Sequence, residues 1–231
     1  MVRTARLQDK QGAVWPGEKV WRWFDVPLIL LSAVLAAAAV LILTEGLNAQ
    51  TDDPNLLALS IGAGFCAGVL LGALWRRVGL GRLGLRGAGA RWWGTALLVA
   101  ALWVPLRQLP TLLDGASFSW LALAHARPQD VVLGILAAVV LAPLGEELFY
   151  RGVLYRWLRQ IVPLGIALGL SALLFTAVHW SGDLLHPSGL ALVFGSGLLY
   201  AWLFERSGSL LPGLLVHVLV NLAGLLLLLG S

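Results

Sequence analysis

Apolar runs of about twenty residues recur along this chain, and the first of them, residues 26 to 44, holds no charged side chain at all. Such a run cannot be solvated by water, and in lipid its backbone N–H and C=O groups must pair within the segment, which makes it a helix. A helix rises about 1.5 Å per residue, so roughly twenty residues cross a hydrocarbon core of about 30 Å. With 59% hydrophobic and only 12% charged residues among 231, the chain is too apolar for an ordinary water-soluble domain. The pattern predicts spans near residues 26–44, 55–75, 92–113, 129–150, 162–180, 189–204 and 209–229. The expected fold class is therefore all-α: a polytopic transmembrane helical bundle of about seven spans, six to eight, with a polar cavity between the C-terminal helices. It divides into a cytoplasmic interfacial segment (1–25), N-terminal transmembrane helices (26–128) and a C-terminal helical core (129–231), all in one integral-membrane domain.

The net charge of +4 does not point to nucleic acid, because the basic residues fall between apolar runs and not on one face. They alternate instead. Arg3, Arg6, Lys10, Lys19 and Arg22 precede the first span, and Arg76, Arg77, Arg82, Arg86 and Arg91 follow the second. Arg151, Arg156 and Arg159 follow the fourth, and Arg206 follows the sixth. The connection with Glu45, Asp52 and Asp53 and the one around Asp183 and His186 carry no Lys or Arg. By the positive-inside rule the N-terminus is cytoplasmic and the C-terminal tail is outside. The first run is longer than a signal-peptide core and reads as a retained anchor. Trp15, Trp21, Trp23 and Phe24 before it fit an interfacial collar.

Cys66 is the one cysteine, which excludes an intrachain disulfide, and it reads as packing. Gly64, Gly68 and Gly72 recur every fourth residue on span two, as do Gly165 and Gly169 on span five, a spacing that lets membrane helices approach closely. Homo-oligomerisation through such a face is the alternative use. The string Gly79, Gly81, Gly84 imitates a nucleotide-binding fingerprint, but no strand or βαβ unit surrounds it.

Glu146 and Glu147, with Arg151 four residues on, stand out within the fourth apolar run. Each ionisable group at mid-bilayer costs about 2.5–3.5 kcal/mol on insertion scales, so three together mark a functional site. Glu147 and Arg151 have the i,i+4 order that favours an ion pair. Glu146, rotated about 100° from Glu147, is free to face a wet cavity. Phe175 and His179 share a face of span five, and His217 and Asn221 share a face of span seven. Measured from a turn near Val162 and Pro163, Glu146 and His179 lie at similar depth, roughly 24 Å of helix away. Three helices can thus bring Glu146, His179, His217 and Asn221 to one cavity. His125 and His186 fall in or near outer loops, and Trp157, Trp180 and Trp202 suit helix ends at the interface. Tyr150 and Tyr155 read as packing residues. No HExxH string occurs. Two chemistries remain open: zinc held by Glu146, His179 and His217, or a metal-free site in which Glu146 and His179 activate water while His217 and Asn221 stabilise an oxyanion.

The motifs Glu146-Glu147-Leu148-Phe149-Tyr150-Arg151, Phe175 to His179 and His217 to Asn221, with the stretch Gly197 to Pro212 before the last, resemble the CPBP family of CAAX-type prenyl endopeptidases and bacteriocin-processing proteins, also called Abi. The resemblance covers about residues 130–225 and leaves the first three spans unassigned. It implies an intramembrane endopeptidase of glutamate-dependent or metalloprotease type, acting on a membrane-associated, prenylated or peptide substrate. It assigns water activation to Glu146 with His179, oxyanion stabilisation to His217 and Asn221, and support to Glu147 and Arg151. For a bacterial chain it implies the cytoplasmic membrane. Two other function classes stay in view: a non-proteolytic binding or bacteriocin-immunity protein, and an ion-coupled transporter.

Overall fold

The structure is a computed structural model and describes residues 19–46, 54–113, 128–179 and 187–229. Trp15, Asp52, Asp53, His125, Trp180, Asp183 and His186 lie outside those residues. Among the described residues the regular structure is entirely helical. The elements are α1 (Asp25–Gly46), α2 (Pro54–Arg76), a single turn α3 (Leu80–Leu83), α4 (Ala90–Leu113), a long composite helix α5 (128–161), α6 (Leu164–Ala177), α7 (Pro187–Ser207) and α8 (Leu211–Leu229). Six of them are long and apolar enough to cross a membrane.

The segment expected at 162–180 differs from its expectation. Its helix covers only Leu164–Ala177, fourteen residues, and the chain then turns at Val178 and His179. At 1.5 Å per residue this is about 21 Å, short of a bilayer core. The helix preceding it is correspondingly long: Val131–Ile161 is 31 residues. α6 therefore folds back along an unusually extended partner and stops at the depth of the polar residues.

Close backbone approach explains the first hairpin. A Cβ on Gly64 would meet the Ala33 carbonyl oxygen, one on Gly68 would meet Ala33 and one on Gly72 would meet Ile29, so α1 lies directly on the glycine face of α2. The corresponding expectation for span five is corrected, because Gly165 and Gly169 meet nothing within 4 Å and pack against no helix among the described residues. Trp21 is also corrected. It is buried, and its indole N–H donates to the Gly152 carbonyl at 2.8 Å, so it plugs α5 while Trp23 stays exposed. Buried Asp25 at the start of α1 accepts from the Arg22 N–H at 2.7 Å and pairs with Arg76 at 3.1 Å.

The basic connections gather at one end of the bundle. Arg86 Nε donates to Gly208 O at 2.8 Å, Ser209 Oγ donates to Arg86 O at 2.6 Å and the Leu210 N–H donates to Gly84 O at 2.9 Å. Gly208, at φ 67°, takes the left-handed conformation that this crossing requires. At the same end Arg159 pairs with Glu205 at 3.1 Å, and the Tyr155 hydroxyl donates to Glu205 at 2.9 Å. Large aliphatic side chains such as Leu35, Ile42, Leu98, Leu102 and Leu113 point outward and are exposed. An apolar exterior around a buried polar centre is the arrangement lipid demands.

Candidate active site

The two glutamates sit at the end of a six-residue α-helical piece, Ala142–Glu147, between two π-helical stretches, Ile135–Leu141 and Leu148–Tyr155. π-helix is rare and concentrates at functional sites, where it shifts the register of side chains around the axis. α2 crosses this piece by backbone contact. A Cβ on Gly62 would lie 2.7 Å from Ala142 N, and one on Gly145 would lie 2.5 Å from Gly62 O. The crossing fixes the helix immediately before Glu146 against translation.

Glu147 and Arg151 are fully buried and paired at 3.0 Å. The Arg151 guanidinium also donates to Gly197 O at 3.2 Å, and its Cζ lies 4.6 Å from the Phe175 ring centre and 5.2 Å from that of Tyr200. This one side chain ties α5 to α6 and α7. Glu147 makes a second contact, with His217 Nδ1 at 3.0 Å. A carboxylate accepts, so Nδ1 carries the proton and His217 Nε2 faces the other way, 3.6 Å from Glu146 Oε2. The His217 ring lies on Tyr200, 4.7 Å between centres and 22° from parallel.

His179 is outside the α6 helix, in the turn after it, yet its ring still meets Phe175 at 4.6 Å. Its Nδ1 is 2.7 Å from Phe175 O. Because a carbonyl oxygen only accepts, Nδ1 is the protonated nitrogen, and Nε2 of the neutral ring keeps its lone pair. Asn221 spends one amide hydrogen on Ala138 O at 2.8 Å, which anchors α8 to the first π segment.

Glu146, His179, His217 and Asn221 line one cavity of about 180 Å³. Glu146 Oε2 is buried and has no hydrogen-bond partner among the described residues. Glu147 and Arg151 stand behind its wall. The remaining lining includes Arg107 of α4 and Ser196 and Tyr200 of α7, none of which the sequence reading singled out. Arg107 did carry a legible signal, an arginine inside an apolar run. Ser196 and Tyr200 carried none. Tyr150, as expected, is a packing residue, edge-on to Phe175 at 5.2 Å.

The candidate zinc ligands are less well gathered than the cavity suggests. Glu146 and His217 approach each other, but among the described residues no group of three His, Cys, Asp or Glu side chains is placed to hold a metal ion. The donor set as arranged does not fit zinc.

Residues 128–223 match the type II CAAX prenyl endopeptidase Rce1-like family. The chain is similar to an uncharacterized 24.3 kDa protein of Escherichia coli, 33% identical over 144 residues. That alignment spans 62% of this chain and 65% of the relative. No solved structure matches.

Proposed function

We propose, from the premise that residues 128–223 are a CPBP-family domain of the Rce1-like kind, that this chain is an intramembrane endopeptidase. It hydrolyses a peptide bond of a membrane-associated or lipidated substrate, with the basic end of the bundle in the cytoplasm. The observation that carries this reading is the buried Glu146 carboxylate oxygen, without a hydrogen bond among the described residues, in a cavity shared with His179, His217 and Asn221.

Glu146 takes a proton from water as the water oxygen attacks the scissile carbonyl, and the free Nε2 of His179 accepts a hydrogen bond that orients the same water. The carbonyl oxygen gains the negative charge. His217, with Nδ1–H held by Glu147, donates from Nε2 when doubly protonated, and the second amide hydrogen of Asn221 is the other donor. Glu146 then returns its proton to the leaving amine as the C–N bond breaks. Arg151 neutralises Glu147, so that Glu147 orients His217 without adding a net charge beside Glu146.

The test is mass spectrometry of protein termini in membranes from cells expressing the wild type or Glu146→Gln at matched levels. New termini with the wild type alone support proteolysis and name its substrates. Identical termini from both proteins overturn the role of Glu146 as the activating base.

A further inference from the structure

α4 lies outside the family match, and one of its side chains nonetheless enters the cavity. Ala96, Ala100, Trp103 and Arg107 follow one another at i, i+4, i+7 and i+11 on one face of α4, and Gln108 is buried about 100° further round. Trp103 Nε1–H donates to Ser196 Oγ at 2.9 Å and Gln108 Nε2–H donates to Val220 O at 3.0 Å, so this face is pinned to α7 and to α8 on either side of Arg107. Arg107 lines the cavity with Tyr200, Val220 and Asn221. No ion pair joins Arg107 to any carboxylate among the described residues, whereas Arg76, Arg151 and Arg159 each have one. An arginine in an apolar helix is costly unless an anion meets it.

We propose that the anion is supplied by the substrate: Arg107 reads a carboxylate of the peptide close to the scissile bond. The inference rests on the endopeptidase reading and adds a specificity-determining residue to it. A planar guanidinium forms paired hydrogen bonds with a carboxylate. Glu146 in the same cavity repels a doubly charged phosphate more strongly than a singly charged carboxylate. Gln108 sets the level of Arg107 at Val220 and Asn221, three to four residues beyond His217 on α8, or about 5 Å along the axis. An extended peptide covers roughly 3.3 Å per residue, so the carboxylate belongs within about one to three residues of the cleaved bond. Two sources satisfy this, the C-terminal carboxylate of a short leaving segment and an acidic side chain next to the bond.

The experiment uses the full chain in phosphatidylcholine nanodiscs, as wild type, Arg107→Gln and Arg107→Lys. The probes are fluorescein-labelled apolar hexapeptides, each made as a C-terminal acid, a C-terminal amide, and an amide with one glutamate near its end. Binding is read by anisotropy and products by mass spectrometry. The wild type is expected to bind a carboxylate-bearing form about tenfold or more tighter than the plain amide, the scale of one charge-assisted hydrogen-bonded pair. The preference falls to about one in Arg107→Gln and survives in part in Arg107→Lys, whose retained binding also certifies the fold. Preference for the acid identifies a terminal carboxylate, and preference for the glutamate amide identifies a side chain. Equal binding of all forms by the wild type overturns the proposal, as does a preference that Arg107→Gln retains. Thermal stabilisation by phosphatidylglycerol, seen in the wild type alone and without any peptide preference, overturns it in favour of a lipid headgroup. Cleavage without preference removes this inference and leaves the endopeptidase, while preference without cleavage of any form does the reverse.

Discussion

Glu146 and Glu147 are chain neighbours with opposite surroundings. Glu147 has Arg151 and His217 within 3.0 Å, while Glu146 keeps a buried oxygen with no hydrogen bond among the described residues and His217 Nε2 only at 3.6 Å. Removing each should therefore fail in a different way. Glu146→Gln is nearly isosteric and leaves no charge unpaired, so turnover should be lost with the unfolding temperature in detergent almost unchanged. Glu147→Gln leaves the Arg151 guanidinium uncompensated, which costs about 3–5 kcal/mol and should lower that temperature by several degrees. Unfolding temperatures that fall equally in both variants would refute this division of labour. Asn221→Ala, if Asn221 donates to an oxyanion, should lower kcat about 10²–10³-fold. An unchanged kcat would reduce Asn221 to its bond with Ala138. Chelation bears on the same residues: because the donor set does not fit zinc, turnover should persist after dialysis against a strong chelator, and a loss restored by added zinc would reverse that reading. At this scale the sequence was generous. The positions of Glu146, Glu147, Arg151, His179, His217 and Asn221 all follow from ionisable or amide groups standing out against lipid-soluble neighbours. Arg107 belonged to the same class of signal, but it has no partner at helical spacing on α4 to draw attention to it, and Ser196 and Tyr200 are ordinary residues made local by α7 alone.

Helix existence was legible because hydropathy reports it directly, but helix kind and helix contact were not. The π-helical stretches on either side of Ala142–Glu147 contain Ile, Leu, Ala, Val and Gly in an order that an α-helix would accept equally well. Tertiary contacts that sequence does not announce fall on and between them, the backbone crossing of Gly62 and Gly145 and the bond from Asn221 to Ala138. Two glycine stripes with the same four-residue spacing likewise have different fates, since the one on α2 receives α1 and the one on α6 meets open space. Spacing permits contact, and only the neighbouring helix decides it. Substitution should separate the two. Gly145→Ala puts a methyl group into the Gly62 carbonyl and must displace the helix that presents Glu146, so turnover should fall by about 10²-fold, the scale of a 1 Å misplacement, in protein that still inserts. Gly165→Ala and Gly169→Ala add a methyl in free space and replace a poor helix former, and each should stabilise by about 0.5–1 kcal/mol. Destabilisation at Gly165 or Gly169, measured by thermal unfolding in detergent, would mean that a partner helix covers that face.

The molecule as a whole is polarised from end to end. The Trp21 plug on Gly152, the Asp25–Arg76 pair, the clasp of 84–86 with 208–210 and the Arg159–Glu205 pair all sit where the basic connections converge. Charge distribution in the sequence anticipated this end, because Lys and Arg avoid translocation during insertion. It could not anticipate that one of the crossing segments is a fourteen-residue helix ending at the polar cavity, since hydropathy runs on past Ala177 while the hydrogen-bonded helix does not. With α6 short, the direction of the remaining helices still alternates, so the basic end is expected in the cytoplasm and the end of α4 outside. The single native cysteine makes this easy to check. In a Cys66→Ala background, Gly87→Cys lies on an exposed connection at the basic end, and Leu113→Cys lies exposed at the far end of α4. A membrane-impermeant maleimide should label Gly87→Cys in inverted vesicles and spare it in intact spheroplasts, with the opposite result for Leu113→Cys. The reversed pattern would open the cavity toward the opposite face of the membrane. On the proposed endopeptidase reading, the substrate would then have to present its cleavage site from outside the cell, which makes the orientation a constraint on which proteins the cavity can meet.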